Sequence, residues 1–166
     1  MLGARERSFT ALHSEHFGRI YRYIAYRIND ADRAEELAAD VFRIAWEKDL
    51  PEEPGIGWLI AVARNVVANE YKGRLRQQLL RQGLQEGARA AGAANDTESG
   101  AVADVLAKLN EKHREVLILA YWDGLTTAEL AQSLGCSISA AGVRLHRARK
   151  AFAGIVPAHL MNERMP

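Results

Sequence analysis

Apolar residues recur at intervals of three and four along most of the chain. No run alternates apolar and polar positions with β-branched enrichment, so the pattern predicts an all-α protein. In the first part, Phe9, Leu12, Phe17, Ile20, Ile24 and Ile28 supply the inward face of a helix running from about Ser8 to Asn29. Asn29 and Asp30 break it. A second helix is predicted from about Asp32 to Lys48, with Leu37, Val41, Ala45 and Trp46 turned inward. Asp32, Glu35 and Glu36 stand at its start, where negative charge suits the helix dipole. The loop from Asp49 to Gly57 holds Pro51, Pro54, Gly55 and Gly57, and a third helix starts near Trp58 and continues towards Arg76. Four shorter helices follow, at about 101–109, 111–122, 126–134 and 137–153.

The pattern changes between Gln77 and Gly100, where Gly83, Gly87, Gly92 and Gly100 interrupt a stretch rich in Ala, Gln, Asn and Ser. Few large apolar residues occur there. It reads as a linker, residues 77–100, helical at its start and mobile after about Gly87. It separates residues 5–76 from residues 101–155, each near the lower size limit for an independent helical core. The predicted architecture is therefore two small helical domains on a flexible tether, the second a helix-turn-helix domain, with a frayed tail from Pro157 to Pro166.

Composition adds exclusions. The 166 residues are 48% hydrophobic, enough for folded domains, and 22 Lys and Arg oppose 21 Asp and Glu. A net charge of +1 carries no global sign of a polyanionic partner, so any nucleic-acid signal must be local. Apolar stretches such as Val116 to Tyr121 are far too short for a membrane span, and no charged leader precedes an apolar core at the N-terminus. A cytoplasmic chain without membrane insertion is expected. The single Cys136 forms no internal disulfide and reads as a small thiol beside a turn. There is no Gly-rich phosphate loop, metal-ligand cluster or nucleophile motif, and the pair His13 and His16 reads as surface. No enzyme, no catalytic residue, no metal and no cofactor are expected.

The local signal lies near the C-terminus. Thr126 followed by Glu129 is a capping box that opens a short helix with Leu130 and Leu134 inward. Gly135 ends it, and Ser137 caps the next helix. A short helix, a glycine turn and a longer helix match the helix-turn-helix motif. At 100° per residue, Ala141, Leu145, Ala148 and Phe152 form one narrow buried stripe. Ser139, Val143, Arg147 and Lys150 lie opposite, Arg144 and Arg149 on the flanks, and His146 outward. From Ser137 to Phe152 there are four Lys or Arg residues and no acid. That concentration suits a helix in the major groove, where phosphates supply affinity and long donors reach base edges. Arg147 and Lys150 are the leading candidates for DNA contact. A solvated basic face is the plainer reading of such a helix alone, but the capped helix and glycine turn just upstream weigh against it.

At these residues the chain resembles a known family. Leu109 to Leu119, Tyr121-Trp122-Asp123-Gly124-Leu125-Thr126, Glu129-Leu130-Ala131, Leu134-Gly135-Cys136-Ser137 and Arg144-Leu145-His146-Arg147-Ala148-Arg149-Lys150 resemble the C-terminal domain of extracytoplasmic-function sigma factors of the sigma-70 family. The resemblance implies that this domain reads the −35 promoter element with Ser137, Ser139, Ala140, Val143, Arg144, Arg147 and Lys150, and meets the β flap of the polymerase. Ala34-Glu35-Glu36-Leu37, Asp40-Val41-Phe42 and Ala45-Trp46 resemble the family's helix that docks on the β′ clamp coiled coil. Asp32, Glu35, Glu36, Leu37, Asp40 and Phe42 are the implied polymerase contacts, an acidic rim around a greasy centre. Trp58-Leu59, Ala61 and Ala63-Arg64-Asn65 resemble the helix beside the −10 element, which makes Arg43, Arg64 and Asn65 the candidates there. Both domains match in order across about 140 of the 166 residues. The implied partners are core RNA polymerase, promoter DNA and an anti-sigma factor. A free-standing helix-turn-helix regulator that dimerises on operators is the rival reading, and it leaves the first part unexplained.

The chain departs from the family's pattern at three places. Ala141 and Gly142 stand where Val and a basic residue are usual, which implies a missing phosphate contact and a weaker helix. Arg43 precedes Ile44, reversing the usual aliphatic-then-basic order. The loop from Glu47 to Gly57 is short and acidic, with Asp49, Glu52 and Glu53.

Overall fold

The computed structural model describes residues 3–82 and 97–156, with the side chains of residues 97–100 left aside. The expected mobile stretch after Gly87 and the frayed tail lie outside the described residues. Every regular element among the described residues is helical, and the chain divides into two compact units.

The first unit is three helices packed on one another. Helix α1 spans Ala4–Ile28, α2 spans Ala31–Lys48 and α3 spans Ile56–Gln82. Between α1 and α2 the chain turns in two residues. Asn29 takes the left-handed conformation (φ 56°), which Asn tolerates, while its N–H donates to the Ala25 carbonyl at 3.1 Å. Asp30 then accepts the Arg33 N–H at 3.1 Å, capping α2. The core is Leu12, Ile20, Ile24 and Ile28 of α1, Leu37, Val41 and Phe42 of α2, and Leu59, Ile60, Ala63 and Val67 of α3, all buried. The rings of Phe9, His13 and Phe17 close around Phe42 with centroids 4.9–6.5 Å away.

Helix α1 starts four residues earlier than its apolar pattern predicts, for a tertiary reason. The Arg5 guanidinium lies 3.7 Å over the Trp46 ring, donates to the Trp46 carbonyl at 2.6 Å and pairs with Asp49 at 3.2 Å. These contacts hold a polar first turn that periodicity alone does not specify. Helix α3 continues past Arg76 to Gln82, so the stretch expected to link the two parts does start as helix. From Leu75 to Gln82 every side chain is exposed, so this last stretch packs on nothing and is a run of good helix formers, Leu, Arg and Gln.

The second unit contains α4 (Thr97–Lys108), α5 (Glu111–Leu117), most of α6 (Thr127–Leu134) and α7 (Ile138–Ile155). Helix α7 packs on α5 and α4. Val105, Leu109, Val116, Leu117, Leu119, Leu125, Leu130, Ala131, Ala141, Leu145 and Ala148 form its core. The helix expected over 111–122 is not regular throughout. It passes into a π-turn at Ile118–Trp122, where the Asp123 N–H reaches back to the Ile118 carbonyl at 2.9 Å. Gly124 (φ 72°) then reverses the chain and the Leu125 N–H bonds the Leu119 carbonyl at 3.0 Å.

Candidate nucleic-acid and polymerase interfaces

The sharpest local signal in the sequence is realised as hydrogen bonds. The Thr126 N–H donates to Glu129 Oε1 at 3.0 Å and the Glu129 N–H donates to Thr126 Oγ1 at 3.1 Å, the two halves of a capping box. At the other end of α6, Gly135 (φ 69°) permits the Cys136 N–H to reach the Ala131 carbonyl at 3.0 Å. That 6→1 bond is the Schellman motif, and it needs the left-handed residue that glycine supplies. One residue after Cys136, the Ser137 hydroxyl accepts the Ala140 N–H at 3.0 Å and opens α7. The angle between the two helices of the motif is thus held by caps on both sides of a three-residue turn.

Helix α7 divides into two faces. Ala141, Leu145 and Ala148 are buried and Phe152 is half-buried, while Ser139, Val143, Arg144, His146, Arg147, Arg149 and Lys150 are exposed. Among the −35 candidates, Ser139, Val143, Arg144, Arg147 and Lys150 therefore share a solvent-facing cationic surface. Ala140 is half-buried, and the Ser137 hydroxyl is engaged in the helix cap. With four cations and no acid in the helix, this surface attracts polyanions, although the whole chain is close to neutral.

The acidic face of α2 is only partly as expected. Asp32, Glu35 and Glu36 are exposed and Asp40 is half-exposed. Leu37 and Phe42, however, are 3% and 2% exposed. They belong to the core, because α1 and α3 cover that side of α2, and they offer no greasy centre to a partner in this conformation. The acids are also partly matched. Glu36 pairs with Arg33 at 2.7 Å, and Asp40 lies 3.6 Å from Arg43. Arg43, a candidate for the −10 element, is bound to Glu47 at 3.1 Å as well. These neighbours raise the Arg43 pKa above its ordinary value, Glu47 contributing most, and they reduce the positive charge it presents to DNA.

On α3, Asn65 is exposed and Arg64 is half-buried. Further along, Glu70 gathers cations. Arg33 grips it in a bidentate fork, with Nε to Oε2 at 3.0 Å and Nη2 to Oε1 at 2.8 Å, and Arg74 Nε reaches Oε2 at 3.2 Å. Arg74 also donates to the Ile28 carbonyl at 3.2 Å, and the Tyr71 hydroxyl donates to the Arg27 carbonyl. The bonds from Arg33 hold the Glu70 carboxyl below the usual carboxylate range despite its burial. This network clamps the end of α1 and the start of α2 onto α3 and neutralises Arg74, leaving Lys72, Arg76 and Arg81 as the exposed cations of the described helix.

Among the described residues no group of three or more His, Cys, Asp or Glu side chains is placed to hold a metal, and no helix is long and apolar enough to cross a membrane. His13, read as a surface residue, is exposed yet stacked on Phe17 at 4.8 Å.

A capped helix-turn-helix unit with a cationic recognition helix, preceded by a separate three-helix unit, defines a DNA-binding regulatory protein. The profile of the family described as "Sigma-70, region 4" matches residues 99–152, which covers most of α7 and of the helices that support it. The chain is 30% identical over 140 residues to the RNA polymerase sigma factor CnrH of Cupriavidus metallidurans, covering 75% of this chain and 73% of that one. It is 29% identical over 152 residues to the ECF RNA polymerase sigma factor SigL of Mycobacterium tuberculosis, covering 86% and 85%. Two solved structures share the fold. The sigma factor RpoE of Bartonella quintana, in complex with the anti-sigma factor NepR, superposes with a TM-score of 0.58 at 21% identity, over 89% of this chain and 95% of that one. CnrH in complex with the cytosolic domain of CnrY gives 0.57 at 24% identity, over 96% and 91%. The chain belongs to the extracytoplasmic-function group of the sigma-70 family, the RNA polymerase sigma factors that direct transcription initiation.

Proposed function

We propose that this sigma factor docks on core RNA polymerase through its first unit and presents two separate DNA readers to a promoter, α7 to the −35 element and the Arg64–Asn65 segment of α3 to the −10 element. The polymerase performs the chemistry, and this subunit acts in the cytoplasm without catalysis of its own. The observation that carries the reading is the division of α7 into a buried stripe and a cationic exposed face, set on a doubly capped turn. Asp32 and Glu35, exposed on the face of α2 away from the core, are the acids left to meet a basic surface of the polymerase. Membership in the family supports the polymerase and promoter assignments. The complex of its structural neighbour RpoE with the anti-sigma factor NepR supports an anti-sigma partner for this chain as well.

Run-off transcription by core polymerase on a library of randomised promoters tests this directly. The expected result is a set of selected templates sharing two conserved blocks at one fixed spacing. Transcription without start-site selection, or protein that fails to associate with core enzyme, would overturn the reading.

A further inference from the structure

By the 100° helical step, Arg144 and Arg149 stand about 70° to either side of the buried stripe of α7. A helix about 10–12 Å across, lying in a groove about 12 Å wide, brings its two flanks against the two sugar-phosphate walls. The flank that carries Arg149 is otherwise poor in charge. Ile138 there is apolar and exposed, and Gly142 has no side chain, with nothing within 4 Å of where its Cβ would stand. Arg149 is nevertheless held. Its Nε–H donates to the Tyr121 hydroxyl, and its guanidinium carbon lies 5.5 Å from the centroid of the Tyr121 ring. Tyr121 is 61% exposed and sits on the π-turn Ile118–Trp122, so neither partner gains much from burial. An exposed aromatic that fixes an exposed cation beside a recognition helix contributes little to the core.

We infer that Arg149 is a phosphate ligand on the duplex wall facing the Gly142 flank, and that Tyr121 is its positioning residue. With Nε engaged by the hydroxyl, the two terminal nitrogens of the planar guanidinium remain for a bidentate grip on phosphate oxygens. The Tyr121 hydroxyl accepts from Nε and still has its own proton to donate to a further phosphate oxygen. Holding the side chain beforehand removes much of the rotamer entropy that an unrestrained arginine loses on binding. The π-turn belongs to this arrangement, because its underwound backbone sets where Tyr121 emerges relative to α7. The inference rests on α7 being the helix that enters the duplex.

Binding of the full chain to a fluorescein-labelled random-sequence duplex, followed by anisotropy across a salt series, tests it. Arg149→Ala should weaken binding and lower the slope of log affinity against log salt by about 0.9, the value for one phosphate contact. Tyr121→Phe should weaken binding about two- to threefold with the slope unchanged, because the charge stays while its orientation is lost. In an Arg149→Lys background, where no Nε exists to be held, Tyr121→Phe should have no further effect. An equal loss from Tyr121→Phe in both backgrounds, or a lowered melting temperature with unchanged binding, would make Tyr121 structural and overturn the proposal. Arg147→Ala separates the two levels of the argument. If it weakens binding while Arg149→Ala does not, the phosphate role of Arg149 alone fails; if neither does, the reading of α7 as the duplex helix fails with it.

Discussion

Arg147 and Glu70 put the same charge chemistry in two settings, an exposed helix face in one unit and a paired network in the other. Arg147 is exposed on the side of α7 opposite its buried stripe and has an acid-free helix around it. Arg147→Ala should weaken promoter binding and reduce its salt dependence by about one phosphate contact, read as a slope change of about 0.9. A slope equal to wild type would exclude the contact. Glu70, by contrast, is 14% exposed and already saturated by Arg33 and Arg74. Its folded-state pKa lies below the ordinary carboxylate value, so it is ionised in the folded state to lower pH than in the unfolded chain. The stability it contributes is complete above the ordinary range and disappears as pH falls through the lowered value. Glu70→Gln should therefore destabilise the first unit by about 1–3 kcal/mol at neutral pH. The gap between variant and wild type should close on acidification in urea melts, and a gap that persisted at low pH would count against the pairing.

Among the helices, α7 has a weak position that its caps offset. Gly142 lies in its interior with open space around the missing Cβ and without a positive φ. Gly142→Ala should stabilise the second unit by about 1 kcal/mol, seen as a higher melting temperature. Thr126→Ala removes the hydroxyl that receives the Glu129 N–H and should cost about 1 kcal/mol in the same measurement. It should also weaken duplex binding beyond its effect on stability, because α6 sets the entry angle of α7. Melts of the two variants that matched wild type would count against both the weak interior position and the cap. The capping box, the turn glycine and the stripe on α7 were all legible beforehand, since each depends on residues within four positions of one another. The π-turn was not. Its bonds join residues five or six apart, and Leu119 and Leu125 are buried on either side of it in a way that periodicity reads as plain helix.

For the molecule entire, the proposed function has two compact units each adding modest DNA affinity, and joining them on one chain would convert the second contact into an intramolecular step. Cutting the chain between residues 82 and 97 should leave each half folded but raise the protein concentration required for transcription by about 10²-fold or more. Retention of full activity by the two separated halves would show that polymerase, rather than the tether, holds them.

Local chemistry was enough to reveal an all-helical chain, its division into two parts, the helix-turn-helix and the cationic face of α7, because period, caps and charge are written in neighbouring residues. Packing settled the rest. Leu37 and Phe42, which looked fit for a partner surface, are covered because α1 and α3 close over that side of α2. The charge of Arg43 is taken up by Glu47 and Asp40, and Arg5 extends α1 by reaching Trp46 and Asp49 some forty residues away. The hold of Tyr121 on Arg149 spans 28 positions. Which side of a helix meets water, and which cation is left free, depends on residues far apart in the chain that meet only when the helices pack.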